Sequence, residues 1–230
     1  MQVALDLGQS ETFISVRNRL RRVYGVVGYD FLRDPVSQLI KSMLSTHTYD
    51  RTSTGALERL QGHYRDWEAL ARAPAAEIEA LIGDVTYADR KAAEIGIALR
   101  QLKARSGELC LDFLHDWATA DSLDYLEKLH GVGRKISAAV LNFSTLRKPA
   151  LVIDSHLLRV LAQLGFIGPR IDNALAAYRT VMPSLAAWTA GELFELHCLL
   201  KRLGQDLCRP DRPRCRTCPL ETLCRRSGRP

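Results

Sequence analysis

Asp34 and Pro35 are followed by Val36, Leu39, Ile40, Met43 and Leu44, apolar residues at i, i+3, i+4, i+7 and i+8. That spacing lines one face of a 3.6-residue helix, and a proline at the first helical position fits its start. The same period governs most of the chain. Phe13, Val16, Leu20 and Val23 form a face that Ser10 would cap and Gly25 would stop. Further helical patterns cover about 52–61, 75–82, 88–104, 123–129, 135–143, 156–164, 173–182 and 189–203. Pro74, Gly83, Ser106 and Gly107 mark breaks, and Asp121 or Ser122 is the expected cap of 123–129. No sustained alternation with a period of two competes, and the apolar run 150–153 is too isolated to imply a sheet. An all-α fold follows.

A chain of 230 residues can build one large domain or two small ones. Its formal charge of +6 favours anionic partners such as nucleic acid. No apolar run approaches the ~18 residues of a membrane span. The opening MQVALDLGQSE lacks the basic flank and apolar core of an export signal, so a cytoplasmic location is expected.

Cys110 and Cys198 sit in apolar, helical-looking stretches, whereas Cys208, Cys215, Cys218 and Cys224 crowd the tail as C-x6-C-x2-C-x5-C. Four thiolates in so short a segment can surround one metal centre, and soft sulfur selects zinc or an iron-sulfur cluster. Structural zinc sites usually pair two knuckles across a longer spacer. One central pair flanked by single cysteines favours the cluster. Arg209, Arg212 and Arg214 lie in the first intercysteine loop, with Arg216, Arg225 and Arg226 nearby. A metal-tied loop would present these guanidinium groups to phosphates; the plainer alternative is a solvated, charged tail.

In LEKLHGVGRKISAAV, Gly131 and Gly133 allow a tight turn between two helices and clear side chains from its surface. Amide groups of the turn and of the next helix's first turn then suit an anion such as a DNA phosphate. Lys135 follows in that first turn, where the helix dipole and Arg134 disfavour its protonated form. Such an amine is a usable nucleophile, although a solvated lysine is the simpler reading. Nineteen residues later, LVIDSHLLRVLAQLG places Asp154 as a helix N-cap, which in a DNA site could also stabilise cationic sugar character or assist proton transfer.

Taken together, LHGVGRK, VIDSH and the four-cysteine tail resemble the endonuclease III family of helix-hairpin-helix DNA glycosylases. LSTHTYD is similar to that family's LSAQATD, and TYADRKA to its LYNSKA segment. The resemblance implies an all-α fold: a six-helix barrel over about 28–148, and a cluster domain from 1–27 with 149–230, DNA lying in the cleft between them. It implies a base-excision-repair glycosylase with abasic-site lyase activity, acting as a monomer on duplex DNA with damaged bases, oxidised pyrimidines above all. Lys135 is then the nucleophile that attacks C1′ and forms a Schiff base, and Asp154 the catalytic carboxylate. Cys208, Cys215, Cys218 and Cys224 hold a structural 4Fe-4S cluster. His47, Leu129, His130, Gly131, Val132, Gly133, Arg134, Arg209, Arg212 and Arg214 face DNA.

His47 replaces the glutamine that fills the space vacated by the flipped base in the family, which leaves the lesion spectrum open. His130 stands where the family has proline, and Ser155 replaces a threonine. Two alternatives remain: a thymine mismatch glycosylase of the same superfamily, and a metal-stabilised DNA-binding module without catalysis. Lys135, together with a tail that ends soon after Cys224, argues against the adenine-specific branch, which lacks the lysine and adds a C-terminal domain.

Overall fold

The computed structural model describes residues 2–225. In chain order its α-helices are α1 (Gln2–Tyr24), α2 (Pro35–Leu44), α3 (Asp50–His63), α4 (Trp67–Arg72), α5 (Ala75–Leu81), α6 (Ala88–Ser106), α7 (Thr119–Leu126), α8 (Arg134–Phe143), α9 (Ser155–Leu164), α10 (Ala174–Val181) and α11 (Ala190–Asp206). Among the described residues, strand pairing is limited to one isolated parallel bridge between Arg33 and Ser144. Residues 150–153 run as buried extended chain, without a sheet. No helix among the described residues is long and apolar enough to cross a membrane. The fold is all-α.

Two compact units form. The central unit, Phe31–Lys148, contains α2–α8, with α2 packed on α3, α6 and α8. Every residue of α2 is buried. Leu39, Ile40 and Leu44 are wholly inaccessible, and each such side chain stabilises by about 1.5–3 kcal/mol. Asp34 starts the helix as the sequence suggests: its Oδ1 accepts from the Ser37 amide at 2.9 Å, with Pro35 at N1.

The other unit joins the chain up to Asp30 with the chain from Pro149 onward. Here α1 and α9 pack on α11. Phe13 stacks on Phe166 at 3.8 Å, and the buried Glu195 receives Arg21 Nε at 2.6 Å and its Nη2 at 2.5 Å.

Several expected boundaries move. Ser10 lies inside α1 rather than capping it, because Ala4 and Leu5 favour helix and a single Gly8 is tolerated upstream. Val23, expected on the core face, is 57% exposed in the last turn beside Arg21 and Arg22, while Gly25 (φ +79°) ends the helix as expected. Asp121 and Ser122 also fall inside a helix. The Ser122 hydroxyl donates back to the Ala118 carbonyl at 3.0 Å, so α7 starts at Thr119. The short α4 escaped the periodicity, although Asp66 caps it by accepting from the Ala69 amide at 2.8 Å.

Candidate functional site

In the central unit the segment between α7 and α8 is a tight turn. Leu129 and Val132 are buried anchors, and the Leu129 and Val132 amides donate to the Leu126 and Leu129 carbonyls at 3.0 and 3.1 Å. Gly131 between them has φ +74°, a left-handed conformation that favours glycine. Gly133 is extended at the N-cap of α8, with open space where a Cβ would stand. His130 is exposed, and its amide donates to Gln101 Oε1 at 2.7 Å.

Arg134 points inward. Its Nε lies 2.7 Å from Glu127 Oε1 and its side chain is 9% exposed, while the Ser137 hydroxyl donates to the same oxygen at 2.8 Å. Glu127 thus fastens the entry of the turn to α8 and offsets the arginine's charge. A cation that faces Lys135 is Lys91 of α6, whose own ammonium is pushed down to about 8, first by burial and then by repulsion from Lys135. Sequence spacing gave no hint of that neighbour. Lys135 Nζ donates to Ser45 Oγ at 3.3 Å.

Ser45 belongs to the segment 44–48 that follows α2. Within it His47 is exposed and left-handed (φ +55°). Its ring meets that of Tyr87, also left-handed (φ +59°) and 62% exposed, edge-on at 6.2 Å. The sequence drew attention to His47 but not to Tyr87, whose signal is only its place in TYADRKA.

In the other unit Asp154 is the N-cap of α9, its Oδ1 accepting from the Leu157 amide at 2.9 Å. Burial works to raise its carboxyl, but His197, the Leu157 amide, Lys201 and His156 outweigh it and the net shift is downward. The carboxylate is therefore ionised at neutral pH. His197 is itself buried, with Nδ1 2.7 Å from the Val152 carbonyl oxygen.

The cysteine tail starts where α11 ends. Arg159 of α9 holds that end, donating from Nε to the Cys208 carbonyl at 2.8 Å and from Nη2 to the Gly204 carbonyl at 2.7 Å. None of the six cysteines is in a disulfide. Burial, then neighbouring thiols, push Cys218 up; at Cys208 burial acts first, and Cys215 and Cys224 add to it against Arg159. All four tail sulfurs thus feel one another. Among the described residues, however, no three His, Cys, Asp or Glu side chains converge closely enough to hold a metal ion. Arg209, Arg212 and Arg214 are exposed, Arg209 lying 3.4 Å from Asp211; Arg226 lies outside the described residues.

The chain is 31% identical over 201 residues to endonuclease III of Thermotoga maritima, a match spanning 85% of this chain and 86% of that protein. The chain belongs to the endonuclease III family. It is also 29% identical over 189 residues to the chloroplastic endonuclease III homolog 2 of Arabidopsis thaliana, where the match covers 81% of this chain but 47% of the plant protein. The chain therefore spans about half the length of its plant relatives in the family. No protein-family model matches. Two solved structures, a non-covalent endonuclease III–DNA complex and a trapped endonuclease III–DNA covalent intermediate, are each 25% identical. They superpose with TM-scores of 0.76 and 0.75 over 95% of this chain and 96% of theirs. A thermostable thymine-DNA glycosylase, 19% identical with a TM-score of 0.75, shares the fold.

Proposed function

We propose that this protein is a base-excision-repair DNA glycosylase with abasic-site lyase activity, and that Lys135 is its nucleophile. The observation that carries the reading is the seat of Lys135: first turn of α8, directly after a turn with an open surface at Gly133, its amine held by Ser45 and repelled by Lys91. The neutral form of a lysine amine is the nucleophile.

The neutral amine attacks C1′ of the damaged nucleotide, forming an N–C bond while the glycosidic bond breaks and its electron pair leaves with the base, which gains a proton. The adduct opens to an iminium. Loss of a C2′ proton then expels the 3′-phosphate and nicks the strand. Asp154, held as an anion, stabilises the cationic sugar. The glycine turn receives a phosphate, His47 and Tyr87 face the duplex, and Arg209, Arg212 and Arg214 add charge. Because Arg134 is engaged by Glu127, its part is to hold the turn rather than to reach out. Oxidised pyrimidines are the proposed substrates, and the protein acts as a monomer.

Cys208, Cys215, Cys218 and Cys224 would hold a 4Fe-4S cluster. The donor set supports it: four cysteines in one short segment supply the soft sulfur ligands that an iron-sulfur cluster takes. When bound, the cluster would supply rigidity to the arginine-bearing loop.

Incubation with abasic-site duplex and borohydride should leave a covalent adduct that Lys135→Ala abolishes; no adduct, or one unchanged by that substitution, would overturn the lyase assignment. Base release from defined duplexes, oxidised pyrimidines against G·T mismatches, tests the substrate. Iron with acid-labile sulfide supports the cluster, and stoichiometric zinc refutes it.

A further inference from the structure

Lys91 lies in the first turn of α6 and, although charged, is only 5% exposed. Its Nζ donates to the Leu44 carbonyl at 2.8 Å, the Thr46 carbonyl at 2.5 Å and Thr48 Oγ1 at 3.0 Å. All three ammonium protons are thereby used. Leu44 is the last residue of α2, so its carbonyl has no donor within the helix. The Thr46 carbonyl belongs to the peptide entering His47, and Thr48 follows it, so the ammonium grips the chain on both sides of His47.

Thr48 Oγ1 also accepts from the Thr86 amide at 3.2 Å, and Thr86 precedes Tyr87. One cation therefore ties together the two segments that carry the left-handed residues His47 and Tyr87. Residues with a Cβ hold that backbone conformation only where their surroundings enforce it. Ser45, which receives the Lys135 hydrogen bond, sits in the same gripped segment.

We propose that Lys91 is a positioning residue: its ammonium holds segment 44–48 in the shape that presents His47 to the duplex and Ser45 to Lys135. This rests on the DNA-binding reading above. Lys91→Met keeps the length of the side chain and removes its donors, and the probe is a duplex carrying a tetrahydrofuran abasic analogue.

If Lys91 acts through His47, Lys91→Met weakens binding about tenfold in the native background and less than about twofold in a His47→Ala background, the non-additivity expected of coupled residues. A purely structural role would lower affinity equally in both. Equal losses, or no loss in the native background, overturn the proposal. Should Lys91→Met fail to fold by circular dichroism, Thr48→Val, which removes the oxygen shared by Lys91 and Thr86, is expected to show the same non-additivity and is judged by the same outcomes. Failure of the unmodified protein to bind the analogue would instead sink the DNA-binding reading itself.

Discussion

The two glycines of the α7–α8 turn do different work, and alanine at each position separates folding from binding. At Gly131 (φ +74°) an added Cβ would stand 3.1 Å from Glu94 Oε2 and 3.3 Å from Glu94 Cβ. The left-handed conformation alone costs a non-glycine residue about 1–2 kcal/mol. Glu94 must also give way by a few tenths of an ångström, loosening its pair with Arg90. Restricting the unfolded chain returns about 0.4–1 kcal/mol. Gly131→Ala should therefore destabilise by about 1–2 kcal/mol, lowering Tm by about 2–8 °C for a chain of this size.

At Gly133 the backbone is extended (φ −105°, ψ −179°) and a Cβ meets nothing within 4 Å. Gly133→Ala loses a little capping preference and regains unfolded-state entropy, for a net change of about 0.5 kcal/mol or less. Its methyl group nevertheless occupies the surface a phosphate would approach. Thermal melts of both variants, with fluorescence anisotropy on duplex across a salt series, check the contrast. Gly131→Ala should lose stability, and Gly133→Ala should keep its Tm while losing affinity by a similar factor at every salt concentration, because the amide contact it blocks neutralises no phosphate charge. Equal Tm losses, or native affinity in Gly133→Ala, would refute the division of roles.

Asp154→Asn keeps a side-chain oxygen for the Leu157 amide and removes the charge; it should fold and lose base release, whereas loss of stability without loss of turnover would reduce Asp154 to a cap. Because its carboxyl is held below the usual range, Asp154 contributes stability above the unfolded value that is lost as pH falls through the folded one; Asp154→Asn should flatten that acid limb in urea titrations. Tyr64 is pushed up to about 12, by burial first and then by its hydrogen bond to Glu77. Its contribution is complete below about pH 10, the free phenol value, and is lost as pH rises toward 12, so Tyr64→Phe should flatten the alkaline limb there and remove tyrosinate absorbance that develops near pH 12. Glu195→Ala strands Arg21 beside a buried gap and should cost about 2 kcal/mol by chemical denaturation, discounted for the partial exposure of Arg21.

What the sequence made legible was whatever depends on near neighbours along the chain. Val36, Leu39, Ile40, Met43 and Leu44 are buried as their period requires, but Ser37, Gln38, Lys41 and Ser42 on the other sides of α2 are buried too, which the period alone does not say. The four cysteines stand out because their chemistry is rare and their spacing short. Helix starts were less readable: Ser10, Asp121 and Ser122 serve equally well as caps or as interior residues, and only the surrounding packing chooses. The Glu127–Arg134 pair, bridging a turn that the helical period does not describe, gave no local signal.

Lys91 was hidden for a stronger reason. In YADRKAAE it reads as one charge among several on a solvated first turn, and nothing within α6 accepts its protons. Its three acceptors come from residues 43 to 47 positions earlier, at the C-terminal end of α2 and the segment beyond it. Burying an ammonium there is unfavourable in itself, as its lowered pKa records. It is tolerated because the same three hydrogen bonds satisfy the Leu44 carbonyl that α2 leaves open and the Thr46 carbonyl beyond it, and fix the segments of two left-handed residues at once. A buried cation whose partners lie at the end of one helix and on both sides of a left-handed, exposed residue is better explained by what that segment must hold than by the stability of the helix that carries it.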